Sequence, residues 1–432
     1  MLIAELYKLY LQFPSIQTDT RKVKKDDIFF ALKGPNFNGN QFAEEALAKG
    51  AAYVVADELP EDTGRHIIHV PDVLKALQDL ALHHRSRFLF QASGKEIPFI
   101  AVTGSNGKTT SKELIHAVLS SSYKTYTTEG NLNNHIGIPL TILKIKQDAE
   151  IAIIEMGANH QKEIEGYCRY TIPTHGIITN CGKAHLEGFG GEEGVRKGKG
   201  ELYDYLRQSS GTAFVMWDYD YLRQMSEGIP VRITYGTQNA DITGIVTNSS
   251  GLLEVSITRG ADISSVKTNL VGEYNLPNIL LAVAIGKYFK VPDEKIKLAL
   301  ENYRPSNSRS QLIEKDSNRI ILDAYNANPT SMKAAIENFA KMEGGNKILM
   351  LGGMMELGTE SLQEHQKLID LINNYEWKNV VLVGGDFNKL NHSFSFFDTS
   401  LQAAEWYKSQ HLRNCNILIK GSRSTAMEKV LE

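Results

Sequence analysis

The string Thr103-Gly104-Ser105-Asn106-Gly107-Lys108-Thr109-Thr110 stands between an apolar run, Phe99 to Val102, and a segment whose Leu114, Ile115, Val118 and Leu119 share one helical face. Glycines at such a junction let backbone N–H groups approach phosphate oxygens, and the N-terminus of the following helix adds partial positive charge. In this pattern Lys108 reaches the β- and γ-phosphates of ATP, and the Thr109 hydroxyl binds magnesium. The longer GxxxxGK[ST] form fails because Val102 occupies the place of its first glycine, which leaves the shorter GxxGK[ST] form. A glycine-rich turn without a ligand is the plainer alternative; Lys-Thr at a helix start, directly after a strand, argues against it.

Further polar residues sit where buried strands should end. Glu155 follows the apolar run Ile151 to Ile154, a place for a carboxylate near magnesium. His185 comes after Asn180, which ends a third run beginning at Gly176. Taken alone, Glu155 could point to water and His185 could lie on the surface. As a series, the strand ends would line Thr109, Glu155 and His185 along one edge of a parallel sheet. Arg196, Lys197 and Lys199 fall on a helical stretch, Glu192 to Tyr205, that composition alone reads as a solvated basic face.

The elements that must position these groups alternate along the chain. Ile28 to Leu32 and Tyr53 to Val55 read as strands, and Phe42 to Lys49 and Val73 to Phe88 as helices, giving a small α/β domain. Gln91 to Glu96, ahead of Pro98, reads as a linker. Thr212 to Thr268 is rich in β-branched alternation and predicts antiparallel strands. Toward the C-terminus Ile348 to Leu351, Val380 to Val383 and Ile417 to Ile419 each run to a glycine. Ser331 to Met342, Leu362 to Asn373 and Leu401 to Ser409 supply the helical crossovers of a doubly wound parallel sheet.

At 432 residues the chain exceeds one ordinary core and predicts two or three domains. A formal net charge of -3 gives no global basic field for nucleic acid or anionic lipid, so an anionic substrate must be held locally. The 3 cysteines are far apart and form no CxxC pair, which fits a reducing compartment. Without a signal-peptide pattern or a long apolar run, the expectation is a cytoplasmic protein with no membrane insertion.

These pieces in this order resemble the Mur ligases, ATP-dependent enzymes that build the peptide stem of bacterial cell-wall precursors. The strings Gly130-Asn131-Leu132-Asn133-Asn134, Glu155-Met156-Gly157-Ala158-Asn159-His160 and Ala184-His185-Leu186-Glu187-Gly188-Phe189-Gly190 are similar to the branch that adds D-alanyl-D-alanine. So are Asp323-Ala324-Tyr325-Asn326-Ala327-Asn328-Pro329 and Lys420-Gly421-Ser422-Arg423-Ser424. The resemblance implies an α/β protein of three domains: a UDP-precursor-binding domain over 1–94, a central phosphate-loop domain with a mostly parallel sheet over 95–305, and a Rossmann-like, doubly wound domain over 306–432 that binds the dipeptide and closes on ATP. It implies UDP-N-acetylmuramoyl-tripeptide, D-alanyl-D-alanine and ATP as substrates, an acyl-phosphate intermediate, and a monomer.

Carried over by residue, the resemblance gives Lys108 to the phosphates, Thr109 and Glu155 to one magnesium and His185 to a second. The family's carbamoylated lysine corresponds to Lys199, in Lys199-Gly200-Glu201-Leu202-Tyr203, with Lys197 the second choice. A carbamate would make that cation an anionic oxygen ligand. Asn275, Asn278, Arg309 and Asp323 go to ATP. Asp19, Thr20, Arg21, Lys33 and Gly34, with Asn131, Asn133 and Asn134, go to the UDP substrate. Asn326, Asn328, Ser422 and Arg423 go to the dipeptide, although Asn326, Asn328 and Ser422 also suit helix caps. The chain departs from the family pattern at Thr20, at Asn38-Gly39-Asn40 and at Asn307-Ser308-Arg309. Two other readings stay open: a superfamily ligase for a different amino acid, against which the chain lacks an Asp-Asn-Pro-Arg string, and a nucleotide switch without ligation.

Overall fold

A computed structural model describes residues 2–58, 66–89, 96–306 and 308–432. The chain forms two compact units, one of Met1–Ile100, Lys124–Met156 and Glu165–Pro173, the other of Ala101–Tyr123, Gly157–Ile164 and Thr174–Glu432.

In the first unit, Ile16–Gln17, Ile28–Phe30, Tyr53–Ala56 and Ile67–His69 form a parallel sheet in that order. Parallel neighbours need crossovers. The helix Ala43–Ala48 makes one, entered through a 3-10 turn, Gly39–Phe42, which shortens the helix expected from Phe42. Phe29, Ala31, Val54 and Ala56 close over Ala43 and Ala46 as its core. The helix Val73–Ser86 starts where Asp72 accepts from the Lys75 amide at 2.8 Å. It carries His84, bonded to the Tyr7 hydroxyl at 3.0 Å and to the Ile145 carbonyl at 2.7 Å. It also carries Arg85, wholly buried over the Phe99 ring at 3.9 Å. Arg85 donates to the carbonyls of Thr171 and Ile172 at 2.9 Å each and to Glu96 at 2.6 Å. Of the expected linker, residues 91–95 lie outside the described residues, as does Asn307 at the expected hinge. Thr125–Thr127 runs parallel to Ile151–Glu155 in the same unit.

In the second unit, His175–Ile178, Thr212–Met216 and Val231–Gly236 lie side by side in parallel, and the Thr179 amide meets the Thr103 carbonyl at 2.9 Å. Antiparallel pairing begins only between Ile242–Asn248 and Leu252–Arg259 and continues to Val266–Val271. The expectation of antiparallel strands from Thr212 onward is thus corrected. The helix Asp220–Met225 carries the chain back across, so the strand after it runs the same way as the strand before. Leu276–Tyr288 is a helix buried on nearly every side, packed on Lys108–Ser120 and on the strands Thr212–Met216, Val231–Gly236 and Ile242–Asn248.

The third sheet, also in this unit, has the order Gln311–Lys315, Asn318–Asp323, Asn416–Lys420, Lys347–Gly352, Asn379–Val383, Ser395–Phe397. All its pairs are parallel except the first. The expected crossovers are present as Pro329–Lys341, Ser361–Ile372 and Ser400–Ser409. The doubly wound arrangement brings the C-terminal ends of Asn318–Asp323 and Asn416–Lys420 together, in register from Arg319 with Asn416 to Asp323 with Lys420.

Candidate functional site

The phosphate loop is shaped by two left-handed glycines. Gly104 has φ 140°, and a β-carbon there would come within 2.0 Å of Thr179 Oγ1; Gly107 has φ 79°, and a β-carbon would meet Asn278 Oδ1 at 2.8 Å. The loop is braced by the segment after His175–Ile178: Ser105 N donates to Asn180 O at 2.9 Å, Asn106 N to Asn180 Oδ1 at 3.1 Å, and Thr179 Oγ1 to Asn106 O at 2.6 Å. Thr109 is buried in the first turn of the helix Lys108–Ser120. Lys108 Nζ folds over the loop and donates to the Gly104 and Ser105 carbonyls at 2.7 and 3.1 Å. A phosphate would offer that ammonium stronger, charged acceptors in place of these carbonyls.

Asn275 and Asn278 stand at the start of the buried helix and form a relay. Ser111 Oγ donates to Asn278 Oδ1 at 2.9 Å, Asn278 Nδ2 to Asn275 Oδ1 at 2.9 Å, and Asn275 Nδ2 to Val271 O at 2.8 Å. Both asparagines are buried, which keeps Asn278 against Gly107.

Lys199 departs from the solvated face that its helix suggests. Arg196 and Lys197 are exposed, but Lys199 is 1% exposed. Gly198 leaves room for the Phe189 ring, which a β-carbon would strike at 2.4 Å, and Lys199 lies 4.9 Å from that ring's centroid. Its ammonium has one carbonyl, Ala158 O, at 2.9 Å. Burial, and next the charge of Lys108, push the Lys199 pKa down to about 7.

His185 takes φ 53° at the start of the helix Leu186–Phe189, and its Nδ1 pairs with Glu356 Oε2. The bond to His185 holds the Glu356 carboxyl below the usual carboxylate range. Among the described residues, no group of three or more His, Cys, Asp or Glu side chains converges as a metal site. A magnesium held largely by phosphate oxygens needs only one or two protein ligands.

The two C-terminal strings meet at the ends of their paired strands. Lys420 Nζ donates to Asp323 Oδ2 at 2.5 Å and to Asn326 O at 3.2 Å, and Ser310 N donates to Asp323 Oδ1 at 3.1 Å. Arg309 stacks on the Tyr325 ring at 3.5 Å, with Arg423 6.0 Å from the same centroid. Asn328 does cap the helix Pro329–Lys341, and its amide also donates to Asn106 Oδ1 at 2.7 Å. Asn326 Oδ1 accepts from the Ala327 amide at 2.9 Å and caps no helix. Ser422 makes no cap bond either; it shares a bond with Ser424 Oγ at 3.1 Å ahead of a 3-10 turn.

Within the first unit, Asp19 and Arg21 pair at 2.8 Å beside Thr20, and that guanidinium holds the Asp19 carboxyl down to about 2. Lys33 pairs with Asp57 at 2.9 Å and Glu58 at 2.8 Å, next to Gly34 in a two-residue strand. Elsewhere in that unit Asn133 Nδ2 donates to Glu155 Oε1 at 2.7 Å. Asn134 Oδ1 accepts the Gly137 amide at 2.8 Å, and the Asn131 carbonyl takes the Asn133 amide at 2.8 Å. Glu155 itself is buried at its strand end.

Residues 102–286 match the Mur ligase middle domain, 308–423 the Mur ligase glutamate ligase domain, and 12–85 the Mur ligase family catalytic domain. A UDP-N-acetylmuramoyl-tripeptide–D-alanyl-D-alanine ligase of Bacillus subtilis (strain 168) is 34% identical, over 100% of this chain and 96% of its own length. The chain belongs to the Mur ligase family. The ligase of the same name from Escherichia coli (strain K12) is 33% identical over 100% and 96% of the two chains. Among solved structures, MurF from Acinetobacter baumannii superposes with a TM-score of 0.87 at 31% identity, covering 96% of this chain and 92% of that one. MurF ligase from Thermotoga maritima, solved in complex with ADP, gives a TM-score of 0.86 at 25% identity, covering 98% and 97%. The three-domain α/β fold of the Mur ligases is therefore the fold of this chain.

Three charged residues of this Mur ligase escape the sequence reading: Lys183, Glu356 and Glu364. Lys183 and Glu356 do follow strands that end in polar or glycine residues, and that position was their available signal. Glu364 lies within an amphipathic helix, where a carboxylate reads as solvent-facing, yet its side chain is 4% exposed.

Proposed function

We propose that this Mur ligase joins D-alanyl-D-alanine to UDP-N-acetylmuramoyl-tripeptide at the expense of ATP, through an acyl phosphate. The observation that supports it most is the glycine cradle beside two buried or half-buried lysines, in a chain aligned end to end with ligases of that name. Two anions must meet, the tripeptide carboxylate and the γ-phosphate, so the site needs charge neutralisation more than covalent help. The carboxylate attacks the γ-phosphorus and the bond to ADP breaks. The dipeptide amine then attacks the acyl carbon, loses a proton, and phosphate leaves.

In this proposal the loop Gly104 to Thr110 binds the phosphates through its amides from Gly107 onward and through Lys108, with Asn275, Asn278, Arg309 and Asp323 around the nucleotide. Two magnesium ions would neutralise the phosphate charge when bound. Thr109 and Glu155 offer the hard oxygen ligands one of them prefers, and His185 and a carbamoylated Lys199 would serve the other. Carbamoylation requires a neutral amine, and a buried lysine titrating near neutrality supplies one. Asp19, Thr20, Arg21, Lys33, Gly34, Asn131, Asn133 and Asn134 are proposed for the UDP substrate, and Asn326, Asn328, Ser422 and Arg423 for the dipeptide. We place the three domains at 1–94, 95–305 and 306–432 and propose a cytoplasmic monomer; among the described residues no helix is long and apolar enough to cross a membrane.

The test is phosphate release from ATP by purified protein. Release that requires both UDP-tripeptide and D-alanyl-D-alanine, with the UDP-pentapeptide seen by mass spectrometry, supports the proposal. Equal turnover without either acceptor would overturn it.

A further inference from the structure

Asn180 and Gly182 brace the phosphate loop, and the segment they open runs on through His185 without regular structure before Leu186. Its position is set from the region matched by the glutamate ligase domain. The Lys183 amide donates to Thr330 Oγ1 at 3.0 Å, and a β-carbon at Gly182 would come within 2.9 Å of the same oxygen. Lys183 Nζ pairs with Glu364 at 3.0 Å, and His185 with Glu356, whose carbonyl also takes the Glu187 amide at 3.5 Å.

Glu364 is the telling member. A carboxylate withdrawn from water is costly unless cations replace its hydration. Lys367, three residues along the same helix at 2.8 Å, is a partner wherever that helix goes. Lys183 is a partner only while the 180–187 segment lies against it. Burial raises the Glu364 pKa, and Lys367 and Lys183 outweigh it, leaving the group below its ordinary value. Separating the two segments would leave this carboxylate with half its charge compensation.

We propose that Lys183–Glu364 and His185–Glu356 form a two-point clasp that fixes His185 at the end of the segment bracing the phosphate loop, making Glu356 and Glu364 positioning residues. Their consequence for turnover rests on the ligase reading above; the clasp itself does not. Docking of the glutamate-ligase-domain region is thereby coupled to the arrangement of the loop that the nucleotide uses.

The experiment pairs hydrogen exchange with kinetics on Glu364→Gln, Lys183→Met and the double variant. Exchange at amides 182–189 should rise several-fold in each single variant, and kcat should fall about tenfold with the KM for ATP nearly unchanged. The double variant should be no worse than either single one, the non-additivity expected of one shared contact. Additive effects, or single variants that exchange like the parent, would overturn the clasp. Should Glu364→Gln fail to fold, Lys183→Met alters the more exposed partner and decides the same point through exchange. A parent enzyme without ligation would refute the ligase reading, while the exchange comparison would still decide the clasp.

Discussion

Asn328 donates its side-chain amide to Asn106 Oδ1 at 2.7 Å while its own Oδ1 accepts the Ser331 amide at 2.9 Å. One carboxamide thus caps a helix and touches the phosphate loop. Asn328→Ser keeps a capping oxygen but is too short for Asn106. It should leave thermal stability near that of the parent and weaken ADP binding by about three- to tenfold, the worth of one net hydrogen bond. Asn328→Ala should also lose about 1 kcal/mol of stability. Calorimetric titration with ADP and urea denaturation measure the two effects, and equal losses in both variants would contradict the division of roles.

Gly107→Ala should damage nucleotide binding more than stability. The left-handed φ of 79° costs an L-residue about 1–2 kcal/mol, and the new methyl would press on Asn278 Oδ1, breaking the relay to Ser111. We expect ADP affinity to fall more than about tenfold. Affinity within twofold of the parent, by the same titration, would contradict the cradle.

Lys199 connects chemistry to pH. Its folded pKa, about 7, lies far below the unfolded value near 10.5. Between those two values the unfolded chain binds the extra proton, so stability should rise with pH through that window and level off above it. Lys199→Met should flatten the rise in urea midpoints measured from pH 7 to 10. Lys199→Ala should lower ligation by about a hundredfold or more, and short carboxylic acids should restore part of it by offering the missing oxygen. Full activity in the alanine variant would contradict the carbamate.

Arg85 makes a stability prediction apart from the chemistry. Arg85→Met would leave the carbonyls of Thr171 and Ile172 without their donor and Glu96 without its cation, at a cost of about 3 kcal/mol in urea unfolding. Arg85→Lys should recover little, because an ammonium cannot reproduce the planar fork. A loss below about 1 kcal/mol would show that water replaces the guanidinium.

The phosphate loop was legible because its signals are local: two glycines, Lys108 and Thr109 between an apolar run and a helical face. Three strands of the third sheet, Lys347–Gly352, Asn379–Val383 and Asn416–Lys420, were legible as short apolar runs that stop at glycine; Gln311–Lys315, Asn318–Asp323 and Ser395–Phe397 end without one and were not read as strands. Lys199 was not legible from its helix, since its burial comes from Phe189 folding over Gly198, a contact no periodicity reports. Helix Ile3–Gln12 was also missed: Glu5 and Lys8 interrupt its apolar residues, and its buried side is Leu6, Tyr7 and Tyr10. The parallel course of Val231–Gly236 depended on a helix only six residues long, too short for a periodic signal. Glu356 and Glu364 read as ordinary surface acids, because the partners that tie them to the phosphate-loop side, His185 and Lys183, lie far away in sequence.

The apolar helix Leu276–Tyr288 bears on how the chain is made. Of the elements it packs against, the helix Lys108–Ser120 and the strands Thr212–Met216, Val231–Gly236 and Ile242–Asn248 precede it, and the helix Asp293–Asn302 follows directly. During synthesis from the N-terminus this greasy rod meets a groove that is already built, and spends little time exposed. A circular permutant that begins at Leu276 would reverse the order. It would release the same segment before any surface exists to receive it, and such a chain should collect in inclusion bodies even though its finished fold has every native contact.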